Sequence, residues 1–386
     1  ANSYLHAEDL ERDEPTYPLH ARVCHECYLV QISDEASPEE LFGDYAYYSS
    51  YSTSWLEHSR QFASEAIARF DLDAESLVVE VASNDGYLLR YFQQAGVPVL
   101  GVEPARNVAR VANAAGVPTE SEFFGASYAR DLVRRGVLPD LIVGNNVLAH
   151  VPDINDFVAG LATLLKPTGT LVMEFPHLLN LIDQVQFDTI YHEHFSYLSL
   201  LAVECILGAH GLAIVDVELL ATHGGSLRVF AMRRAGPEQE PSERVRSLRE
   251  AEATAGLHDL TTYAAFARRV ESTKRQLREF LERASRAGKS VAAYGAAAKG
   301  NTLLNTIGAA SNLVQYVVDR SPHKQGLFLP GSHLPVYAPD HIFETRPDYV
   351  LILPWNLTDE ITTQMSGIRA WGGKFVVPIP ETKVLS

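Results

Sequence analysis

Short apolar runs at 77–81, 99–102, 141–143 and 171–175, each bounded by Gly, Pro or Asp, constrain the fold of this chain most. Helically spaced segments separate them, and strand-length runs alternating with helices predict a parallel sheet with crossover helices. The alternation restarts at 291–294, 316–318, 349–353 and 375–377, which predicts a second, smaller α/β domain. At 386 residues the chain exceeds one ordinary core, so two or three domains are expected. Residues 1–55 are turn-rich and hold Cys24-x-x-Cys27 with Tyr45, Tyr47, Tyr48 and Tyr51. Residues 56–232 carry the first alternation and 289–386 the second. The charged stretch between them, 233–288, spaces Val245, Leu248, Tyr263, Phe266, Val270, Leu277, Phe280 and Leu281 as one or two amphipathic linking helices would.

Charge narrows the partners. A net charge of −16 argues against nonspecific binding to nucleic acid or to an anionic membrane. A small anionic substrate remains possible, because a few Lys or Arg residues and a helix terminus suffice to hold one. No apolar run approaches the ~20 residues of a membrane helix, and the N-terminus lacks a charged-then-apolar signal. Cys24, Cys27 and Cys205 cannot make a disulfide framework, so a reducing cytoplasm is expected. The chain opens at Ala1 inside what reads as folded sequence, and residues upstream of it are expected.

The segment 80–86 follows a strand-like run and precedes a helical one, and about twenty residues later a second strand ends in Gly101-Val102-Glu103. This is a nucleotide-binding βαβ layout with Glu103 placed for two ribose hydroxyls. It has one glycine, Gly86, where a dinucleotide site has three to admit a pyrophosphate. S-adenosylmethionine has no phosphate, so the spacing favours it over NAD. Glu80, Ser83, Asn84, Gly86, Glu103 and Pro104 are the first candidate cofactor residues. Phe124, ahead of the third strand, and Asn145 and Asn146 at that strand's end complete the set.

With these pieces in order, the chain resembles the S-adenosylmethionine-dependent C-methyltransferases of nucleotide-linked deoxysugars. The matching residues are 44–54 (DYAYYSSYSTS), 80–89 (EVASNDGYLL), 101–107 (GVEPARN), 191–199 (YHEHFSYLS), 222–230 (THGGSLRVF) and 295–305 (GAAAKGNTLLN), spread over nearly the whole length. The resemblance implies a small N-terminal zinc-binding piece and a central Rossmann-like class I methyltransferase domain. It adds a C-terminal α/β domain that helps to hold the nucleotide-sugar, by expectation a thymidine-linked 4-keto-deoxysugar methylated at C3. It does not require an oligomer, so a monomer or weak oligomer is expected.

The segment Tyr191-His192-Glu193-His194 is dense in polar groups and suits either a metal or a proton transfer. The metal reading is weak. On a helix His192 and His194 would point about 200° apart, and no nearby Asp or Cys completes a set. A keto-sugar supplies a carbon acidic enough to deprotonate, which an imidazole suits. In the family this segment lies beside the sugar, which implies His194 as the base, Glu193 close by, and Tyr191, Tyr45 and His192 as sugar or enolate partners. Tyr47, Tyr48 and Tyr51 compete with Tyr45 for its role. His150 and His177, each just past a strand-like piece, could also reach the pocket, although a satisfied structural histidine is the favoured reading of both. The strand expected at 222–228 could bring His223 and Gly224 close to a ligand, or be merely a glycine-weakened strand.

Cys24-x-x-Cys27 has the spacing of half a structural zinc site. The family has an upstream ligand pair that this chain lacks, so either missing residues carried it or no metal binds. Cys205 lies in an apolar stretch and is expected to be a buried thiol. In the last section Ala297 and Lys299 lie where a strand meets a helix, a usable diphosphate site, and Asp319 and Arg320 end the next strand. Trp355 and Asn356 follow a later strand toward the same cleft. Two rival readings stand beside the C-methyltransferase: an O-methyltransferase on a small hydroxylated metabolite, and a nonenzymatic nucleotide-sugar-binding protein.

Overall fold

The structure, a computed structural model, describes residues 2–33, 48–234, 240–308 and 310–385. The chain divides into two compact units, each discontinuous in sequence. The larger comprises Arg22–Leu178 and Phe195–His258, the smaller Ala1–Ala21, Leu179–His194 and Asp259–Ser386. The linear sections 1–55, 56–232, 233–288 and 289–386 are therefore regrouped: the first is divided at Ala21, the linking helices are divided at His258, and residues 179–194 join the smaller unit.

In the larger unit two short strands, β1 (Arg22–Val23) and β2 (Val30–Gln31), pair with each other, and β2 pairs on its other side with β8 (Ser196–Tyr197). The main sheet runs β5-β4-β3-β6-β7-β10-β9. Its members are β3 (Val78–Val81), β4 (Val99–Val102), β5 (Thr119–Glu120), β6 (Leu141–Asn145), β7 (Thr170–Pro176), β9 (Leu212–Leu220) and β10 (Ser226–Arg233). The first five are parallel, and β10 runs antiparallel to both β7 and β9. This is the Rossmann-like class I methyltransferase sheet.

Alternation sorts its side chains onto two faces. Val79, Val81, Ile142, Leu171, Met173, Leu227 and Val229 enter one core, and Val78, Leu141, Val143, Val172 and Phe230 the other. The helix α1 (Thr53–Arg69) covers this second face. Ser52 caps it by accepting from the Trp55 amide at 3.3 Å, and Trp55, Ser59, Phe62, Ala63 and Ala66 make its buried stripe. Each fully buried large apolar side chain contributes about 1.5–3 kcal/mol relative to exposure. The helix α2 (Leu200–Ala209) buries Leu200, Ala202, Val203, Ile206 and Leu207 and leaves Cys205 exposed. The expectation of a buried thiol fails because position 205 lies off that stripe.

The smaller unit has a six-stranded sheet in the order β13-β12-β11-β14-β15-β16. Its strands are β11 (Val291–Tyr294), β12 (Val317–Val318), β13 (Val336–Tyr337), β14 (Tyr349–Ile352), β15 (Lys374–Val377) and β16 (Lys383–Leu385), all parallel except the last. The long helix α3 (Leu260–Arg286) buries Leu277 and Leu281 in the core that also takes Val185 and Phe187. The helix α4 (Ala298–Ile307) follows β11 directly. No helix among the described residues is long and apolar enough to cross a membrane.

Candidate functional site

At the carboxyl end of β3 the chain turns sharply. Ala82, Asn84 and Gly86 all have positive φ, at 58°, 50° and 75°, alternating with ordinary residues. Only Gly86 adopts this without strain, so the two side-chain-bearing positions must be held by their surroundings. Glu103, at the end of β4, does part of this: its carboxylate accepts the Asn84 amide and the Ala105 amide, each at 2.9 Å. Burial raises the Glu103 carboxyl, opposed by those two amides. The Asn84 side chain accepts the Ser49 amide at 2.9 Å, and Asp85 accepts that of Ser50 at 3.2 Å.

Glu80 is fully buried with Tyr87 as its neighbour, and burial pushes its carboxyl well up. Asn145 donates to the Tyr87 hydroxyl at 3.4 Å. Asn146, itself at φ 53°, lies 3.1 Å from His223 Nε2. Pro104 follows Glu103 just after β4. Phe124 is edge-on to Phe157 with ring centroids 5.5 Å apart.

The turn fits a nucleoside cofactor. Ser83 Oγ, Asp85 Oδ1 and Asn146 Oδ1 are buried polar atoms without a partner among the described residues. A Cβ at Gly86 would meet Val117 at 2.9 Å, so the loop can close this tightly only with glycine there. Glu103, Ser83, Asn84 and Asn145 would hold S-adenosylmethionine.

The segment expected as a strand at 222–228 begins instead as a turn, Thr222–Gly224, and β10 starts only at Ser226. His223 has φ 54°, Gly224 88° and Gly225 114°, which no strand accommodates.

In the smaller unit His194 directs Nδ1 to the Thr189 carbonyl oxygen at 2.8 Å, and its ring lies 4.2 Å from that of Tyr191. Glu193 is buried and accepts from Asn2 at 2.7 Å; burial raises its carboxyl. His192 turns to the Pro18 carbonyl at 2.9 Å and to the ring of Tyr17. Tyr45 lies outside the described residues. Tyr48 accepts from Asn107 at 3.3 Å, and Tyr51 is exposed.

Lys299, in the first turn of α4, pairs with Asn356 and stands 4.5 Å from the Trp355 ring centre. Trp355 Nε1 donates to Asp188 at 2.8 Å. Sequence reasoning missed Asp188, fully buried and pushed up to about 6 by burial against the pull of Lys299 and Trp355. An isolated Asp between Phe187 and Ile190 was the available signal. Asp319 accepts the Ala296 amide, next to Ala297, at 2.8 Å. It thus repeats what Glu103 does for Asn84: an acid closing the second strand pins the loop that leaves the first. Arg320 is exposed and paired with Glu360 at 3.2 Å.

His177 is buried and bonded through Nε2 to Glu252 at 2.7 Å, while its Nδ1 has no partner among the described residues. Cys24 and Cys27 lie between β1 and β2. Amide hydrogens of Cys27 and Glu26 lower the Cys24 thiol, and burial raises that of Cys27. Two thiols are half of a tetrahedral set, and no group of three or more His, Cys, Asp or Glu that could hold a metal occurs among the described residues. These residues do not complete a zinc site.

Three family models match consecutive stretches of the chain. Residues 55–217 match a methyltransferase-domain model, 221–380 the C-methyltransferase C-terminal domain, and 1–42 a model described as "Putative zinc binding domain". Over 386 residues the chain is 39% identical to C-methyltransferase NovU of Streptomyces niveus, covering 100% of this chain and 92% of that protein. A ubiquinone biosynthesis O-methyltransferase of Rhodopseudomonas palustris (strain TIE-1) is 28% identical over 120 residues, 28% of this chain and 46% of that protein. Among solved structures, magnesium protoporphyrin IX methyltransferase from Synechocystis PCC 6803 matches with TM-score 0.36 at 18% identity, covering 46% of this chain and 79% of that one.

Proposed function

The chain belongs to the C-methyltransferase family, and on that footing we propose that it methylates a sugar carbon beside a ketone. The substrate is a nucleoside-diphosphate 4-keto-deoxysugar, thymidine-linked, with C3 as the reacting position. When bound, S-adenosylmethionine supplies an electrophilic methyl group. The chain's own task is to make the sugar carbon nucleophilic. A carbon beside a ketone can lose its proton because the conjugate base is an enolate.

One observation carries the reading: the 2.8 Å approach of His194 Nδ1 to the Thr189 carbonyl oxygen. A carbonyl only accepts, so Nδ1 holds the proton, and in the neutral ring Nε2 carries the lone pair. Nε2 takes the sugar proton, while the Thr189 carbonyl stabilises the imidazolium that results. Tyr191, against the His194 ring, and Glu193 support the base; His192 and Tyr45 are the remaining sugar partners. In the larger unit, His223 and Gly224 are the candidate acceptor contacts. The N-terminus of α4 at Ala297 and the Lys299 ammonium suit the diphosphate, with Asp319, Arg320, Trp355 and Asn356 around them.

Replacement of His194 by Ala should lower turnover by about 10²–10⁴-fold while calorimetry with S-adenosylhomocysteine reads nearly unchanged affinity. Wild-type turnover in that variant would remove the base assignment. The acceptor class is tested by a mass-spectrometric screen of keto-sugar nucleotides with methyl-labelled cofactor. Label on an oxygen rather than on carbon would overturn the C-methylation reading.

A further inference from the structure

The larger unit buries a charged cluster that the reaction above does not use. Glu174, in β7, is fully buried, and Arg228, its cross-strand partner in β10, is 3% exposed. Their side chains meet at 2.8 Å. His58 Nε2, from α1, reaches the same carboxylate at 2.9 Å and 3.1 Å. The Thr222 hydroxyl donates to it at 3.0 Å. A carboxylate only accepts, so Nε2 of His58 carries the proton toward it. The 3.2 Å approach of Arg228 to that nitrogen is then a contact between two donors. Burial by itself would raise the Glu174 carboxyl, but the His58 hydrogen bond and the Arg228 charge outweigh it and hold it low.

Burying such a cluster is not an efficient way to stabilise a sheet, since well-packed apolar residues do at least as well. What this one holds is specific. Thr222 leads into the left-handed His223, and His223 meets the left-handed Asn146 at 3.1 Å. The Asn146 amide donates to the backbone carbonyl of Glu174 at 2.7 Å. One residue therefore anchors both strained positions, Asn146 through its main chain and His223 through its side chain and Thr222. Such backbone strain concentrates at functional sites. The pair lies at the carboxyl end of β6, the edge where parallel α/β sheets bind ligands. Trp55 completes the arrangement, stacked on His58 at 5.0 Å and edge-on to the exposed His223 at 5.1 Å.

We propose that Glu174 and His58 are positioning residues for the sugar acceptor: through Thr222 they fix the turn that presents His223 to it. The proposal rests on the keto-sugar reading and deepens it. Thr222→Val keeps the shape and removes only the hydroxyl; Thr222→Ser keeps the hydroxyl. With a thymidine-diphosphate-linked 4-keto-6-deoxyhexose, the Val variant should raise acceptor KM about tenfold, the scale of one lost hydrogen bond to a charged group. The Ser variant should stay close to wild type, and calorimetric affinity for S-adenosylhomocysteine should stay nearly constant in both. Glu174→Gln should act in the same direction; if it fails to fold, the Thr222 pair decides.

A wild-type KM in Thr222→Val overturns the proposal. So does an equal defect in Thr222→Ser, or a loss of cofactor affinity as large as the change in KM, since each marks a merely structural role. If the unaltered enzyme methylates no keto-sugar, the functional reading fails, and imidazole NMR decides the positioning claim separately. The His223 resonance, assigned with His223→Gln, must then move in Thr222→Val and not in Thr222→Ser. An unmoved resonance in Thr222→Val overturns the claim.

Discussion

Asp188 shows how far a single buried group can link stability to pH. Burial is the main cause that lifts it to about 6, only partly offset by the Lys299 charge and the Trp355 N–H. An unfolded Asp titrates near 4, so between about pH 4 and 6 the folded chain holds this proton more tightly than the unfolded one does. The stability that the proton contributes is fully present below about pH 4 and lost as the pH rises through about 6. Two pKa units correspond to roughly 3 kcal/mol. Asp188→Asn removes the titration. The stability of the unaltered chain relative to that variant should therefore fall from pH 4 to pH 7, measured by denaturant unfolding followed through tryptophan fluorescence. A difference that stays constant with pH would show that Asp188 does not titrate in this range. Burial lowers the Lys299 ammonium, opposed by the Asp188 charge.

At the scale of elements, the turn after β3 depends on a glycine in the strand beside it. Gly101 lies in β4, where a Cβ would collide with Ser83 Oγ and come within 2.7 Å of Thr119 Oγ1. Ser83 belongs to the turn whose Ala82 and Asn84 are already left-handed. Gly101→Ala should therefore push that turn outward, costing about 1–3 kcal/mol of stability by overpacking. It should also weaken S-adenosylhomocysteine binding, read by calorimetry. Unchanged affinity would mean that the turn tolerates displacement.

The elements themselves were largely legible. The runs at 77–81, 99–102, 141–143 and 171–175 are β3, β4, β6 and β7 to within two residues, because a parallel strand buried on both faces needs a short continuous apolar run. The turn at Thr222 was not, because two glycines beside alternating residues read equally as a weak strand. The Glu174–Arg228 pair left a signal that went unread: one charge in the middle of each of two apolar strands. Lone charges in such runs identify partners only once the register pairs 174 with 228. The Lys299, Trp355 and Asn356 grouping, by contrast, followed from their places after strand ends.

For the whole molecule, the order of the chain and the order of its units differ. The chain crosses between units after Ala21, Leu178, His194 and His258. No local pattern announces this, since apolar residues such as Val185 and Phe187 carry no label saying which core they will enter. The consequence is that all seven strands of the larger sheet lie before His258, whereas the segment that carries His194 takes its core partners from residues after it. A chain ending at His258 should keep the larger unit and its cofactor turn, and so still bind S-adenosylhomocysteine. In that fragment 179–194 loses the core that Val185 and Phe187 enter, and Asp188 loses the Trp355 hydrogen bond. Limited proteolysis should then cut within 179–194 in the fragment and spare it in the full chain, with no methyl transfer from the fragment. Protection of 179–194 in the fragment would show that the segment is ordered without residues 259–386, and that the division of the chain into these units is wrong.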